Sequence, residues 1–212
     1  MAGVKICGLS TAETVAAAVD GGAALLGFNF FPPSPRYLTP DAAARLAPPA
    51  RGKALIVAVT VDPDNDLVDR LVATLKPDLI QLHGKETPAR GQEIATRSGI
   101  GLIRALPVST ATDLDAARAW EPVVEHLMFD ARPPEGSALP GGMGARFDWT
   151  ILAGRRFARP YLLAGGLDPW NVGEAMRLSG APLVDVSSGV ERGPGIKDPG
   201  LISAFLEAVR RA

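Results

Sequence analysis

Residues 160–189 read PYLLAGGLDPWNVGEAMRLSGAPLVDVSSG. An apolar run at 160–164 ends in two glycines. Asp168-Pro169 before Trp170 is a helix-start signal for a helical segment at 171–178. A second apolar run follows at 183–187. Near-continuous apolar strands joined through a helix imply a parallel sheet covered by helices. The fold then turns on how often this unit recurs. Outward from it, apolar runs stand at 4–7, 24–30, 54–61, 79–83, 101–106 and 126–130, and helical candidates at 12–20, 40–46, 64–75, 88–97, 111–120 and 199–210. Ser10-Thr11 and Thr39-Pro40 are further start signals. Only 147–152 is a poor helix, read as one short turn. Eight strand–helix units predict an α/β fold, a single (β/α)8 TIM barrel with compact loops over residues 1–212. A doubly wound open sheet would also take eight strands. No GxGxxG follows the first strand, so its dinucleotide-binding version loses its main signal. The Pro/Gly-rich stretch 132–144 reads as a long loop after strand six, not a domain boundary.

Composition narrows the function. The 212 residues are 47% hydrophobic and 21% charged, with a formal net charge of −1, an ordinary soluble profile. No basic or acidic block points to nucleic acid or a membrane surface. A single cysteine excludes an internal disulfide framework and a cysteine-based zinc cluster. The opening MAGVKICGLS has no basic segment ahead of a long apolar run, so no signal peptide is expected. No apolar stretch reaches the roughly 18 residues of a membrane helix. A cytoplasmic protein is expected.

In parallel α/β folds the chemistry sits in loops at the carboxyl ends of the strands. Cys7-Gly8 follow the first strand. The second leads into a proline-stiffened loop ending at Arg36. The fourth ends QLHG (81–84), the sixth at Asp130, the seventh in Gly165-Gly166, and the eighth in Ser187-Ser188-Gly189. The last two loops are where a barrel holds phosphate, with close backbone approach and hydroxyl donors. Strand parity then assigns faces, because residues i and i+2 share one. Lys5 and Cys7 point inward, as do Asp185 and Ser187. Strands eight and one are neighbours in a closed barrel, so Lys5 is expected to pair with Asp185. Gln81 shares a face with His83, and Met128 with Asp130. Arg104 is one more charge in an apolar strand.

Ring order places Cys7 and Asp130 on either side of the phosphate loops. A thiol and a carboxyl flanking a sugar phosphate suit proton transfer at two sites of one substrate, an isomerase's task. As a base Cys7 must form a thiolate, from an ordinary pKa of about 8.5, with Lys5 pulling it down. As an acid Asp130 must be raised from about 3.9. Plainer roles stand beside these: an inert buried cysteine, a capping aspartate, a hydrogen-bonded core histidine, a surface arginine.

The motifs KICGLS (5–10), GFNFFPPSPRY (27–37), QLHG (81–84), FDA (129–131), GG-G-FDW (141–149), LAGGL (163–167) and VDVSSGVERGPGIKD (184–198) occur in this order over nearly the whole chain. Together they resemble the phosphoribosylanthranilate isomerase family of tryptophan biosynthesis. The resemblance implies a (β/α)8 barrel and an Amadori rearrangement of N-(5-phosphoribosyl)anthranilate to 1-(2-carboxyphenylamino)-1-deoxyribulose 5-phosphate, with no metal and no organic cofactor. By the same resemblance Cys7 is the general base at C2 and Asp130 the general acid at the ring oxygen. Arg36 holds the anthranilate carboxylate, for which a guanidinium is suited. Gly165, Gly166, Ser187, Ser188 and Gly189 hold phosphate; Lys5, Gln81, His83 and Asp185 support the site. The partner is this small phosphosugar-anthranilate substrate, with neither nucleic acid nor membrane, and a monomer is expected rather than a homodimer. One stretch departs: the family's GGTGKTFDW reads GGMGARFDW, with Met143, Ala145 and Arg146. The rivals are another phosphosugar barrel, such as an indole-forming lyase, which would need lysine and glutamate at strand ends, and a phosphosugar sensor, which would need neither Cys7 nor Asp130.

Overall fold

Short polar side chains launch the helices by accepting backbone N–H groups that would otherwise be unpaired. Thr11 does so from Thr14, Thr39 from Ala42, Asp64 from Leu67, Thr87 from Arg90, and Asp198 from Leu201. The computed structural model describes residues 3–132, 136, 141 and 144–212. The strands are β1 (Gly3–Cys7), β2 (Leu25–Asn29), β3 (Leu55–Thr60), β4 (Leu79–Leu82), β5 (Gly101–Val108), β6 (His126–Ala131), β7 (Tyr161–Leu163) and β8 (Leu183–Val186). The helices are α1 (Ala12–Asp20), α2 (Pro40–Leu46), α3 (Asn65–Arg70), α4 (Pro88–Ser98), α5 (Ala117–Trp120), α6 (Val172–Ser179) and α7 (Pro199–Arg211).

The eight strands pair in parallel in chain order, and β8 returns to β1 to close the barrel. Closure sets Lys5 opposite Asp185 on one side and Leu25 on the other. Leu25, Val57, Val59, Leu79, Ile103 and Met128 fill the inside, and Cys7 belongs to this inner cluster. The alternate residues, among them Ile6, Leu26, Ile56 and Phe129, face the helices in a second, larger core. The open sheet is thereby excluded.

Three details differ from the sequence expectation. Residues 64–75 form α3 and then a wider π turn at Leu71–Leu75. Residues 111–120 begin as a tight 3₁₀ turn, held by Asp113 accepting from the N–H groups of Ser109 and Thr110, and reach α-helix only at Ala117. The stretch after β8 is not plain loop: Glu191–Gly193 (β9) and Ile196–Lys197 (β10) make an antiparallel hairpin. The weak segment after strand six is one turn, Trp149–Leu152.

Candidate active site

The first strand supplies Lys5 and Cys7. Lys5 Nζ donates to Asp185 Oδ1 at 2.7 Å, and Lys5 is fully buried. Burial alone would lower its pKa, but Asp185 and Cys7 outweigh it and raise the pKa. Cys7 lies opposite Gly27 in the β1–β2 register. A Cβ at Gly27 would sit 3.1 Å from Cys7 Sγ and 3.2 Å from Lys5 Nζ, so any side chain there would crowd both groups. Gly27 in the second strand is therefore part of the site, a role that needs the register to be seen.

Burial pushes the Cys7 thiol up; Lys5 and Lys197 pull it down without overcoming that, and Asp185 adds to the rise. This corrects the expectation of a thiol lowered by its lysine. Lys5 acts in the expected direction, but desolvation in the barrel wins.

Across the cleft, His83 Nε2 lies 3.2 Å from Asp130 Oδ2. Gln81 Nε2 is 3.2 Å from His83 Nδ1 and 3.5 Å from Met128 Sδ, while Gln81 Oε1 is buried with no hydrogen-bond partner. Gly141 covers this pair: a Cβ there would lie 2.7 Å from Asp130 Oδ2. Arg104 is not among these groups. Its neighbours Ile103 and Ala105 face the barrel interior, so it points to the helix layer. There it pairs with Glu86, donates to Gly84 O at 3.0 Å and stacks 4.6 Å over the Trp120 ring.

Arg36 stands over Gly8, whose φ is +78° and where a Cβ would meet Arg36 Cδ at 2.5 Å. Its guanidinium forks onto Glu191, Nε to Oε1 at 2.7 Å and Nη2 to Oε2 at 2.8 Å. Lys197 Nζ donates to the same carboxylate at 2.6 Å and to Ser187 O at 3.0 Å. Burial would raise the Glu191 carboxyl, but Arg36 and Lys197 hold it below the usual carboxylate range. Burial pushes Lys197 down, and Glu191 only partly restores it. Glu191 and Lys197 lie in the VERGPGIKD stretch, where no local pattern marks them, because the hairpin pairs them with each other and the barrel brings Arg36 from 155 positions away.

Gly165 and Gly166 take left-handed φ values of +91° and +62°. Gly166 lies under Arg146, whose Nε donates to Gly166 O at 3.0 Å and Nη2 to Asp168 Oδ2 at 2.8 Å. The Arg146 charge is thus engaged with the loop after β7, while Met143 lies outside the described residues. Asp168 in turn accepts from the N–H groups of Trp170 and Asn171 at the start of α6. Gly189 serves packing: a Cβ there would lie 1.9 Å from Leu167 O. Cys7, Arg36, His83, Asp130, Gly165, Gly166, Asp185, Ser187 and Ser188 line one cleft at the carboxyl ends of the strands. Lys5, Gln81 and Gly189 do not line it. Among the described residues no group of three His, Cys, Asp or Glu could hold a metal. The arrangement offers a thiol and a carboxyl for proton transfer, flanked by a cationic side and a glycine- and serine-rich side.

Residues 4–208 match the family model described as N-(5'phosphoribosyl)anthranilate (PRA) isomerase. Over 211 residues the chain is 69% identical to the N-(5'-phosphoribosyl)anthranilate isomerase of Caulobacter vibrioides, spanning 99% of this chain and 96% of that protein. A crystal structure of phosphoribosyl anthranilate isomerase in complex with reduced 1-(o-carboxyphenylamino)-1-deoxyribulose 5-phosphate matches with a TM-score of 0.86 at 31% identity, over 100% of both chains. Another, of monomers generated from the dimeric enzyme of Thermotoga maritima, matches with a TM-score of 0.84 at 30% identity, again over 100% of both.

Proposed function

The chain belongs to the N-(5'-phosphoribosyl)anthranilate isomerase family and is an isomerase of tryptophan biosynthesis; on that premise we propose how its residues carry the reaction. Asp130 gives a proton to the ribose ring oxygen. The bond from that oxygen to C1 breaks, and the anilino nitrogen's lone pair forms the Schiff base. Cys7 takes the proton from C2 in its thiolate form, which Lys5 and Lys197 favour against the burial that raises its pKa, leaving an enolamine. A proton added at C1 and one lost from the C2 hydroxyl give the ketone. No atom or electron is gained or lost overall, so the step needs no external oxidant or reductant. Arg36 holds the anthranilate carboxylate, a planar match for a guanidinium already held flat by Glu191. The loops with Gly165, Gly166, Ser187, Ser188 and Gly189 hold the phosphate.

One observation carries this reading: the chain's sole thiol and Asp130 line the same cleft as the loops after β7 and β8. A coupled assay for the rearranged product tests it. Cys7→Ala and Asp130→Asn are each expected to lower kcat by about 10²–10⁴-fold while retaining the fold. Full activity in either variant overturns that residue's role.

We also read the chain as one domain and as a cytoplasmic monomer. No described helix is long and apolar enough to cross a membrane. The exposed large apolar side chains among the described residues are few: Leu55 opens β3, Tyr37 and Trp170 lie beyond strand ends, and Ile196 is in β10. A dimer mass by light scattering would overturn the monomer.

A further inference from the structure

Gln81, His83 and Asp130 form a chain of contacts ending at the proposed acid, and the chemistry of its far end assigns every proton in it. A thioether sulfur only accepts, so the end of the Gln81 amide that faces Met128 Sδ at 3.5 Å is its nitrogen. The same nitrogen faces His83 Nδ1 at 3.2 Å. Nδ1 is therefore the bare, accepting nitrogen, and the ring proton sits on Nε2. The group left unpaired is Gln81 Oε1. A buried carbonyl without a partner is more tolerable than a buried N–H without one, so the reversed amide, which would strand its NH₂, is the poorer arrangement.

We propose that Gln81 is a positioning residue that holds His83 in the neutral Nε2–H tautomer, so that His83 donates to Asp130 Oδ2 and leaves Oδ1 as the oxygen that exchanges a proton with substrate. The inference rests on the reading of Asp130 as the acid. His83 Nε2 is 3.2 Å from Oδ2, and Gly141 closes over the same oxygen. When Oδ1 gives up its proton, negative charge grows on the carboxyl group. An Nε2–H held 3.2 Å from Oδ2 is then drawn into a hydrogen bond with it, because hydrogen bonds to ionised acceptors are the stronger kind. The contact thus favours the transition state over the bound ground state. With the proton on Nδ1 instead, a bare Nε2 lone pair would face the developing carboxylate and oppose it.

The chain holds two histidines, and His126 opens β6 at the other end of the barrel. A His126→Asn variant therefore leaves His83 as the only imidazole in a ¹⁵N–¹H ring spectrum. The expected result is one bare Nδ1 and a protonated Nε2 at neutral pH. A protonated Nδ1, alone or with Nε2, overturns the proposal without any change at Gln81. Gln81→Met, similar in length but without the donor, is expected to lose the single tautomer. Its kcat should fall roughly ten- to a hundredfold, the loss of one charge-assisted hydrogen bond, with KM nearly unchanged. A Gln81→Met protein that keeps the Nε2–H tautomer, or that changes KM alone, overturns it. If Asp130→Asn instead keeps full activity while the tautomer is as expected, the reading of Asp130 fails and the assignment at Gln81 stands.

Discussion

Lys5→Met removes the cation at the centre of the barrel, and its effects follow from two numbers. Nζ and Oδ1 are 2.7 Å apart, and the Asp185 side chain is 10% exposed. At an effective dielectric of ~20 the gross attraction is about 6 kcal/mol. Desolvation of both ions consumes most of that, so the intact pair is close to neutral for stability. Removing one partner is a different matter, because it leaves Asp185 buried and uncompensated, at a cost of about 3–5 kcal/mol. With a urea dependence of about 2 kcal/mol per molar, the unfolding midpoint should fall by roughly 1.5–2.5 M. Lys5→Met with Asp185→Leu should recover most of the loss. The same proteins report on Cys7. Lys5 lowers its pKa and Asp185 raises it, so Lys5→Met removes the favourable charge and keeps the unfavourable one. Since Cys7 is the only cysteine, its alkylation rate against pH reads the thiolate directly. The profile should move alkaline in the single variant and less far in the double. A loss in Lys5→Met below about 1 kcal/mol, or a profile moving toward acid, would refute the reasoning.

Glu191→Gln should weaken substrate binding, because the Arg36 guanidinium loses its bidentate carboxylate; KM should rise more than kcat falls. The Glu191 pKa is held below its unfolded value, so its contribution to stability is present above that value and disappears as pH falls through the folded one. The urea midpoint of the natural protein should therefore drop as pH falls below the ordinary Glu value of about 4.3, and Glu191→Gln should remove part of that drop. Gly27→Ala places a methyl group 3.1 Å from Cys7 Sγ; a cost of about 1–3 kcal/mol in chemical unfolding and a fall in kcat are expected. Arg146→Ala breaks an ion pair whose arginine side chain is 53% exposed. Stability should change by less than ~1 kcal/mol, whereas inhibition by inorganic phosphate should weaken as the Gly166 loop loosens.

The barrel was legible because its signals are local. Each strand is a short apolar run, most helices have a side-chain-capped start, and eight such units leave few topologies. Alternation with a period of two turned Lys5, Cys7, Asp185 and Asp130 inward, and their places at strand ends located the cleft. Parity spoke clearly there because polar and apolar residues alternate. It was silent for Arg104, since in LIRAL both faces are apolar, as a sheet buried on both sides demands. The direction of the Cys7 shift was equally beyond reach. It is a balance between desolvation and neighbouring charges, and burial has no value until the barrel closes.

By itself, then, the order of residues determined the repeating unit, the inward faces and the strand-end positions of the thiol, the carboxyl and the glycine loops. Each of these depends on neighbours a few residues away. The tertiary structure decided what those groups touch. Arg36 meets Glu191 across 155 positions and Lys5 meets Asp185 across 180. Gly27 yields its side chain to two atoms of another strand, and Gln81 reaches Met128 and His83 together. Such contacts are set by sheet register and barrel closure, which bring together parts of the chain whose local patterns are independent of one another.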